Sequence, residues 1–96
     1  MQLDEEVLES LKALASENRQ RILLLFVDGL DRTVNQVAQE VGLAQSTTSE
    51  QLGILKRAGL LVAERHGKET YYRPNRAHMN RFLEKLSAMI NACCPR

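Results

Sequence analysis

Two stretches of the chain carry side chains that can do chemistry. The first is Gln45-Ser46-Thr47-Thr48-Ser49-Glu50-Gln51, joined further on by Arg65, His66 and Lys68. Short polar side chains donate and accept hydrogen bonds without steric bulk, which suits base edges and phosphate oxygens. The cations near Gly67 suit phosphates or an adjacent minor groove. The second stretch is Cys93-Cys94, followed by Pro95. Thiolates favour soft centres such as trivalent arsenic or antimony. Taken alone, a Ser/Thr run is most often capping and turn chemistry, and cations beside a glycine an ordinary solvated hairpin. The elements that hold these residues decide between the readings.

Those elements follow from periodicity. Leu3, Val7, Leu8, Leu11 and Leu14 recur at three and four, with Asp4, Glu5 and Glu6 at the positive end of a first helix. Ser16 caps a second helix, whose body from Arg19 to Val27 is apolar nearly all round and is expected to be central and buried. Asp28-Gly29 ends it. Thr33 and Gln36 form a capping box for a short third helix with Val34, Val37, Ala38 and Val41 inside, and Gly42 ends that helix. A fourth helix lies between Gln45 and Ala58. Thr47 and Glu50 repeat the capping-box pattern, so its first turn has two possible starts. After Gly59 the period changes to two. Leu61 to His66 and Glu69 to Arg73 read as strands around a Gly67-Lys68 turn, stopped by Pro74-Asn75. A last helix from about Arg76 carries Met79, Phe82, Leu83, Leu86, Met89, Ile90 and Cys93 on one stripe, closed by Pro95.

The fold class is therefore mainly α with a small β-hairpin, in the order α-α-α-α-β-β-α, as one domain over residues 1–96. Two helices joined at Gly42 and followed by a basic hairpin make a winged helix-turn-helix, whose second helix lies in the major groove of duplex DNA. The candidate DNA-binding residues are Gln45, Ser46, Thr47, Thr48, Ser49, Gln51, Arg65, His66 and Lys68.

Composition sets the outer limits. With 44% hydrophobic and 26% charged residues, the 96-residue chain is an ordinary globular domain, not a disordered tail, a collagen-like repeat or a disulfide scaffold. The longest apolar run, Ile22 to Val27, is too short to cross a bilayer. The N-terminus has neither the basic flank nor the apolar stretch of a signal peptide, so a cytoplasmic location is expected. Net charge is only +1, but residues 1–17 hold five acids and one base while residues 61–96 hold three acids and seven bases. A basic face can thus exist without a basic protein. With 4% aromatics and no Trp, the composition argues against a stacking platform for single strands. No Gly-rich phosphate loop, paired carboxylates or nucleophile with a His partner points to an enzyme, and no cofactor is required. The rival to a DNA-binding regulator is a winged helix that binds a protein, with its Ser/Thr face idle.

Three segments in order resemble one family. Leu14-Ala15-Ser16-Glu17-Asn18-Arg19-Gln20-Arg21-Ile22-Leu23 resembles the opening of its second helix. Val37 to Leu52 resembles its helix-turn-helix, and Leu55-Lys56-Arg57-Ala58-Gly59-Leu60-Leu61 with Gly67-Lys68 and Tyr71-Tyr72-Arg73 its wing. The family is ArsR/SmtB, small dimeric bacterial repressors released from DNA by metals, metalloids or oxidants. The resemblance covers roughly residues 8–90. It implies a sequence-specific repressor of an inverted-repeat operator.

Departures bear on the inducer. Thr33 and Asn35 stand where the arsenic-sensing branch often has Cys-x-Cys. Of the zinc-type set in the last helix only His78 matches, beside Arg76, with Met89 and Ala92 where later ligands would fall. One His is not a zinc site, and His78 is expected at a surface or interface. Glu50 stands where many members carry Arg. An acid there repels phosphate, so it either meets a cytosine amino group or lowers affinity.

Adjacent α-carbons are about 3.8 Å apart, below the roughly 4.4–6.8 Å of ordinary disulfides, so a bridge within the Cys93-Cys94 pair is expected to be strained. A bond between subunits or a shared soft ion is easier. Pro95 biases Cys94 out of the helix, which helps both sulfurs converge. A pair at the end of the last helix resembles arsenic sites in some ArsR relatives. Those usually have a third thiol, which a partner subunit or a small-molecule thiol would supply here. Three readings of the pair stand: an As(III)/Sb(III) site, a thiol-oxidation sensor, and a plain reduced tail. Finally, the apolar surplus of Leu3, Val7, Leu8, Leu11 and the stripe Met79 to Ile90 predicts a homodimer through the first and last helices.

Overall fold

A computed structural model describes residues 4–94. The chain runs α1 (Glu5–Leu14), α2 (Glu17–Leu25), a 3-10 turn (Phe26–Asp28), β1 (Arg32–Thr33), α3 (Val34–Val41), α4 (Gln45–Arg57), β2 (Leu61–His66), β3 (Glu69–Pro74) and α5 (Arg76–Cys93). This is the winged helix-turn-helix order, mainly helical with one hairpin.

Local hydrogen bonds start the helices where the sequence signals them. The Asp4 carboxylate accepts from the Val7 amide at 2.9 Å, and the Ser16 hydroxyl from the Arg19 amide at 3.3 Å. Both bonds of the Thr33–Gln36 box are present, at 2.8 and 3.3 Å. Gly42 closes α3 in the left-handed region, at φ 75°. The core gathers Ile22, Phe26, Val37, Val41, Leu52, Leu55, Leu60 and Leu61 where α2, α3, α4 and the root of the hairpin meet.

No local pattern announces β1. Two residues are too few to show an alternation, yet Arg32 and Thr33 pair antiparallel with Tyr72 and Tyr71, making a three-stranded sheet in the order β1-β3-β2. Arg32 anchors this edge. It is 9% exposed, donates to Asp28 at 2.6 and 3.0 Å and to Glu40 at 2.6 Å, and its guanidinium lies 5.6 Å from the Phe26 ring centre. The Arg32 guanidinium holds the Asp28 carboxyl down from 3.8 to about 2.

The second helix is not buried all round. Its α-helical part ends at Leu25, and of its apolar run only Ile22 and Phe26 are buried, while Leu24 is 65% and Val27 81% exposed. Helices α3 and α4 cover one side of α2; the other borders α5 across an open apolar groove of about 350 Å³, lined among others by Leu24, Val27, Met79, Phe82 and Leu83.

Helices α1 and α5 meet through polar groups as much as apolar ones. His78 is buried, with Nε2 2.8 Å from the Ser10 hydroxyl and Nδ1 2.9 Å from the Glu6 carboxylate. Its expected place at a surface or interface is thereby corrected, because the tip of α1 folds over it. Outside it, Glu6 pairs with Arg81 and Lys85 at 3.2 Å each, and Asp4 with Lys85 at 2.8 Å. These cations hold the Glu6 and Asp4 carboxyls below their ordinary range, Lys85 contributing most to both. The turn after α4 closes against the same ring: Gly59 has φ 86°, and a Cβ there would stand 2.8 Å from His78 atoms. Of the apolar surplus assigned to α1, Val7 is consumed in the chain's own interior. Leu8, Leu83 and Ile90 stay exposed, and Leu3 lies outside the described residues.

Candidate DNA-binding surface

Helix α4 begins at Gln45, the earlier of its two possible starts. Its N-cap is Ala44, which offers no side-chain acceptor. The amides of the first turn therefore face outward without a side-chain cap, an arrangement that suits a phosphate oxygen. Gln45, Ser46, Thr47 and Ser49 are all exposed around that turn.

Two members of the candidate set are taken off this face. Thr48 is fully buried, and its hydroxyl donates to the Ala44 carbonyl at 2.9 Å. Its position, one turn before Leu52, puts it on the inner stripe, so it secures the start of α4 instead of touching a base. Gln51 is half-buried, and its Oε1 accepts from Arg19 Nη1 at 2.9 Å. Arg19 is itself fixed by the Ala13 and Lys12 carbonyls at the end of α1, at 2.6 and 3.3 Å. Its guanidinium thus ties α1, α2 and α4 together, a role that no local sequence signal announces.

In the wing, β2 and β3 pair from Leu61–Pro74 to His66–Glu69, with Gly67 at φ 64° in the tip. Arg65 folds onto its own turn, donating to the Gly67 carbonyl at 3.0 Å. His66 sits 3.6 Å from Glu64 and edge-on to Tyr71, ring centres 5.6 Å apart. Glu64 also pairs with Arg73 at 2.8 Å, and Arg73 is the main cause of its lowered pKa. The carboxylate of Glu69 accepts from the Tyr71 hydroxyl at 3.2 Å and raises that group's pKa. Lys68, at the tip, shares a small polar cleft with Thr33, Asn35, Gln45 and Glu69. The structure thus brings Gln45 and Lys68 to one cleft, while Arg65 is turned onto its own hairpin.

The cysteine pair is at the far end of α5. Cys93 is the last helical residue, and Cys94, at φ −138°, leaves the helix. Both are exposed, and their sulfurs are joined to each other within the chain. As expected, the break in the helix at Cys94 lets the two side chains converge, across an α-carbon separation of 3.8 Å that is shorter than in ordinary disulfides. Among the described residues no group of three or more His, Cys, Asp or Glu is placed to hold a metal ion. Among them, too, no helix is long and apolar enough to cross a membrane.

A helix-turn-helix with an exposed polar second helix and a hairpin beside its first turn defines a winged helix-turn-helix, DNA-binding class of protein. Residues 16–62 match the family model described as bacterial regulatory protein, arsR family. The chain is 34% identical over 99 residues to the HTH-type transcriptional regulator YbzH of Bacillus subtilis, covering 88% of this chain and 99% of that one. It is 31% identical over 87 residues to the biofilm growth-associated repressor of Xylella fastidiosa, covering 91% of this chain and 69% of the relative. Among solved structures, it is similar to the homodimeric winged helix-turn-helix DNA-binding domain (fragment 1–100) of Mb0332 from Mycobacterium bovis. The TM-score is 0.73 at 32% identity, over 94% of this chain and 90% of that one. The chain belongs to the ArsR family and is a transcriptional regulator of that family.

Proposed function

We propose that this regulator is a cytoplasmic homodimeric repressor that binds an inverted-repeat operator in duplex DNA and leaves it when an inducer acts at Cys93 and Cys94. The observation that carries the DNA reading is the cleft shared by Gln45 and Lys68. It puts the first turn of α4 and the wing tip where one groove and its flanking phosphate could be met together. Gln45, Ser46, Thr47 and Ser49 then meet base edges or phosphates, and Lys68 and Arg65 meet phosphates. The homodimer is supported by the exposed Leu8, Leu83 and Ile90 on α1 and α5 and by the homodimeric Mycobacterium bovis relative. Two α4 helices then sit about 34 Å apart on one DNA face.

The inducer reading rests on position and chemistry. In the reduced pair, two adjacent thiolates bind trivalent arsenic or antimony, with a third thiol from the partner subunit or a small molecule. The ion pulls on the end of α5, where the dimer is expected, and so alters the spacing of the α4 pair. A release of ten- to a hundredfold requires about 1.4–2.7 kcal/mol of coupling. The convergence of the two sulfurs within one chain favours a second reading, in which oxidation of the pair is the signal.

Gel shifts with the promoter region of its own operon test the DNA reading. Binding by one dimer per inverted repeat is expected; binding one chain at a time, or a stable monomer at micromolar concentration in sedimentation, overturns the dimer. No shift with any promoter fragment favours the protein-binding rival. Lys68→Ala should weaken all sequences alike and flatten the salt slope by about one phosphate per wing. Arsenite should release the native protein and not the Cys93→Ser, Cys94→Ser double variant. Release by peroxide with arsenite inert supports the oxidation reading, and equal responses of native and double variant place the inducer elsewhere.

A further inference from the structure

Of the Ser/Thr run only Ser46 lies on the outward stripe of α4. Thr48, Leu52 and Leu55 are the buried residues of the helix. At 3.6 residues per turn, the opposite face belongs to Ser46, Glu50, Gly53 and Arg57, at i, i+4, i+7 and i+11. Ser46, Glu50 and Arg57 are exposed. Gly53 offers no side chain, and Arg57 lies back over it: a Cβ at 53 would meet Arg57 Nη1 at 3.2 Å. Glu50 is therefore the long side chain that rises from the middle of the stripe. Its neighbour Gln51 is held away by Arg19. Among the described residues Glu50 has no ion-pair partner.

An ionised carboxylate only accepts hydrogen bonds. In the major groove guanine shows two acceptors and thymine an acceptor and a methyl group, so neither can satisfy it. Adenine offers its amino group beside the N7 acceptor, which repels the second carboxylate oxygen. Cytosine offers an amino donor with no neighbouring acceptor of its own. We propose that Glu50 is a specificity-determining residue that selects a cytosine within each half-site, accepting from its N4 amino group. This rests on the DNA-binding reading and adds the base that the middle of α4 reads.

The test is selection from a random duplex pool, followed by affinity measurements, with the native protein, Glu50→Gln and Glu50→Ala. Native protein should require cytosine at one position per half-site, with about ten- to a hundredfold discrimination. Glu50→Gln should move that preference to adenine, whose N6 and N7 match an amide, and leave the other positions as they were. Glu50→Ala should lose the preference there alone. If Glu50→Gln instead raises affinity for every sequence alike and keeps the same preferred base, the acid only repels phosphate and the proposal is overturned. If the native protein selects no duplex at all, the DNA-binding reading falls with it, an outcome distinct from a uniform gain in affinity. Coincident thermal melts of the three proteins exclude a folding effect, as expected for an exposed residue.

Discussion

Helix α4 turns Thr48, Leu52 and Leu55 into a core closed by α2, α3 and the root of the wing, whereas the longer α5 buries only His78 and Phe82 and leaves Leu83 and Ile90 exposed. The half that carries the candidate DNA-binding residues is completed by a single chain. The α1–α5 half is held by a surface cluster of Asp4, Glu6, Arg81 and Lys85 around one buried polar contact, and it keeps an open apolar groove beside α2. A regulator gains from that division. On the proposed reading, α4 has to keep its shape in every state, while the α1–α5 flank has to be able to shift.

The largest expected effect tests the completeness of the first half. Leu52→Ala should cost about 2–5 kcal/mol in urea unfolding, because a fully enclosed side chain leaves a cavity behind. Leu83→Ala, on the groove, should change the unfolding midpoint little at low protein concentration and instead weaken self-association in sedimentation. Equal unfolding losses for the two would erase the distinction between the halves.

Where the halves touch, Gly59→Ala should be the next in size. A side chain at φ 86° is strained by itself, and its Cβ would meet the His78 ring at 2.8 Å. A loss of about 1–3 kcal/mol is expected, and His78→Ala in the same chain should recover part of it by removing the ring. Additive losses in that double variant would show that the ring is not what the turn closes against.

The smallest effect is electrostatic and sits in the α4 half. Asp28 titrates at about 2 in the folded chain against 3.8 ordinarily, because Arg32 binds its charged form. A lowered folded value means a contribution that is complete above the ordinary pKa and is lost as pH falls from 3.8 toward about 2. The native unfolding midpoint should therefore drop more steeply across that window than that of Asp28→Asn. Superimposable acid limbs would place the acid sensitivity elsewhere, with Glu6 and Asp4 of the α1–α5 half and Glu64 of the wing as the other lowered carboxyls.

Much of the frame was legible in the residues. The caps at Ser16 and Thr33, the left-handed Gly42 and the turn at Gly67-Lys68 each depend on contacts within about four residues, and all stand where their signals put them. The order of helices and strands, and with it the fold class, followed from the change of period near Gly59. The site was legible only in part. Gln45, Ser46, Thr47, Ser49 and Lys68 are exposed as expected, but an all-polar turn has no apolar residue to show which way it faces. Only packing against α2 and α3 decided that Thr48 points inward, that Gln51 is claimed by Arg19, and that Glu50 takes the middle of the outward stripe. The same holds for the apolar run of α2, which periodicity reads as central although Leu24 and Val27 border an open groove. Spacing along a helix is a local property and was present in the sequence. Which neighbour covers each face, and which distant group Arg19 or His78 meets, depends on residues brought together from far along the chain, and the tertiary structure alone supplied it.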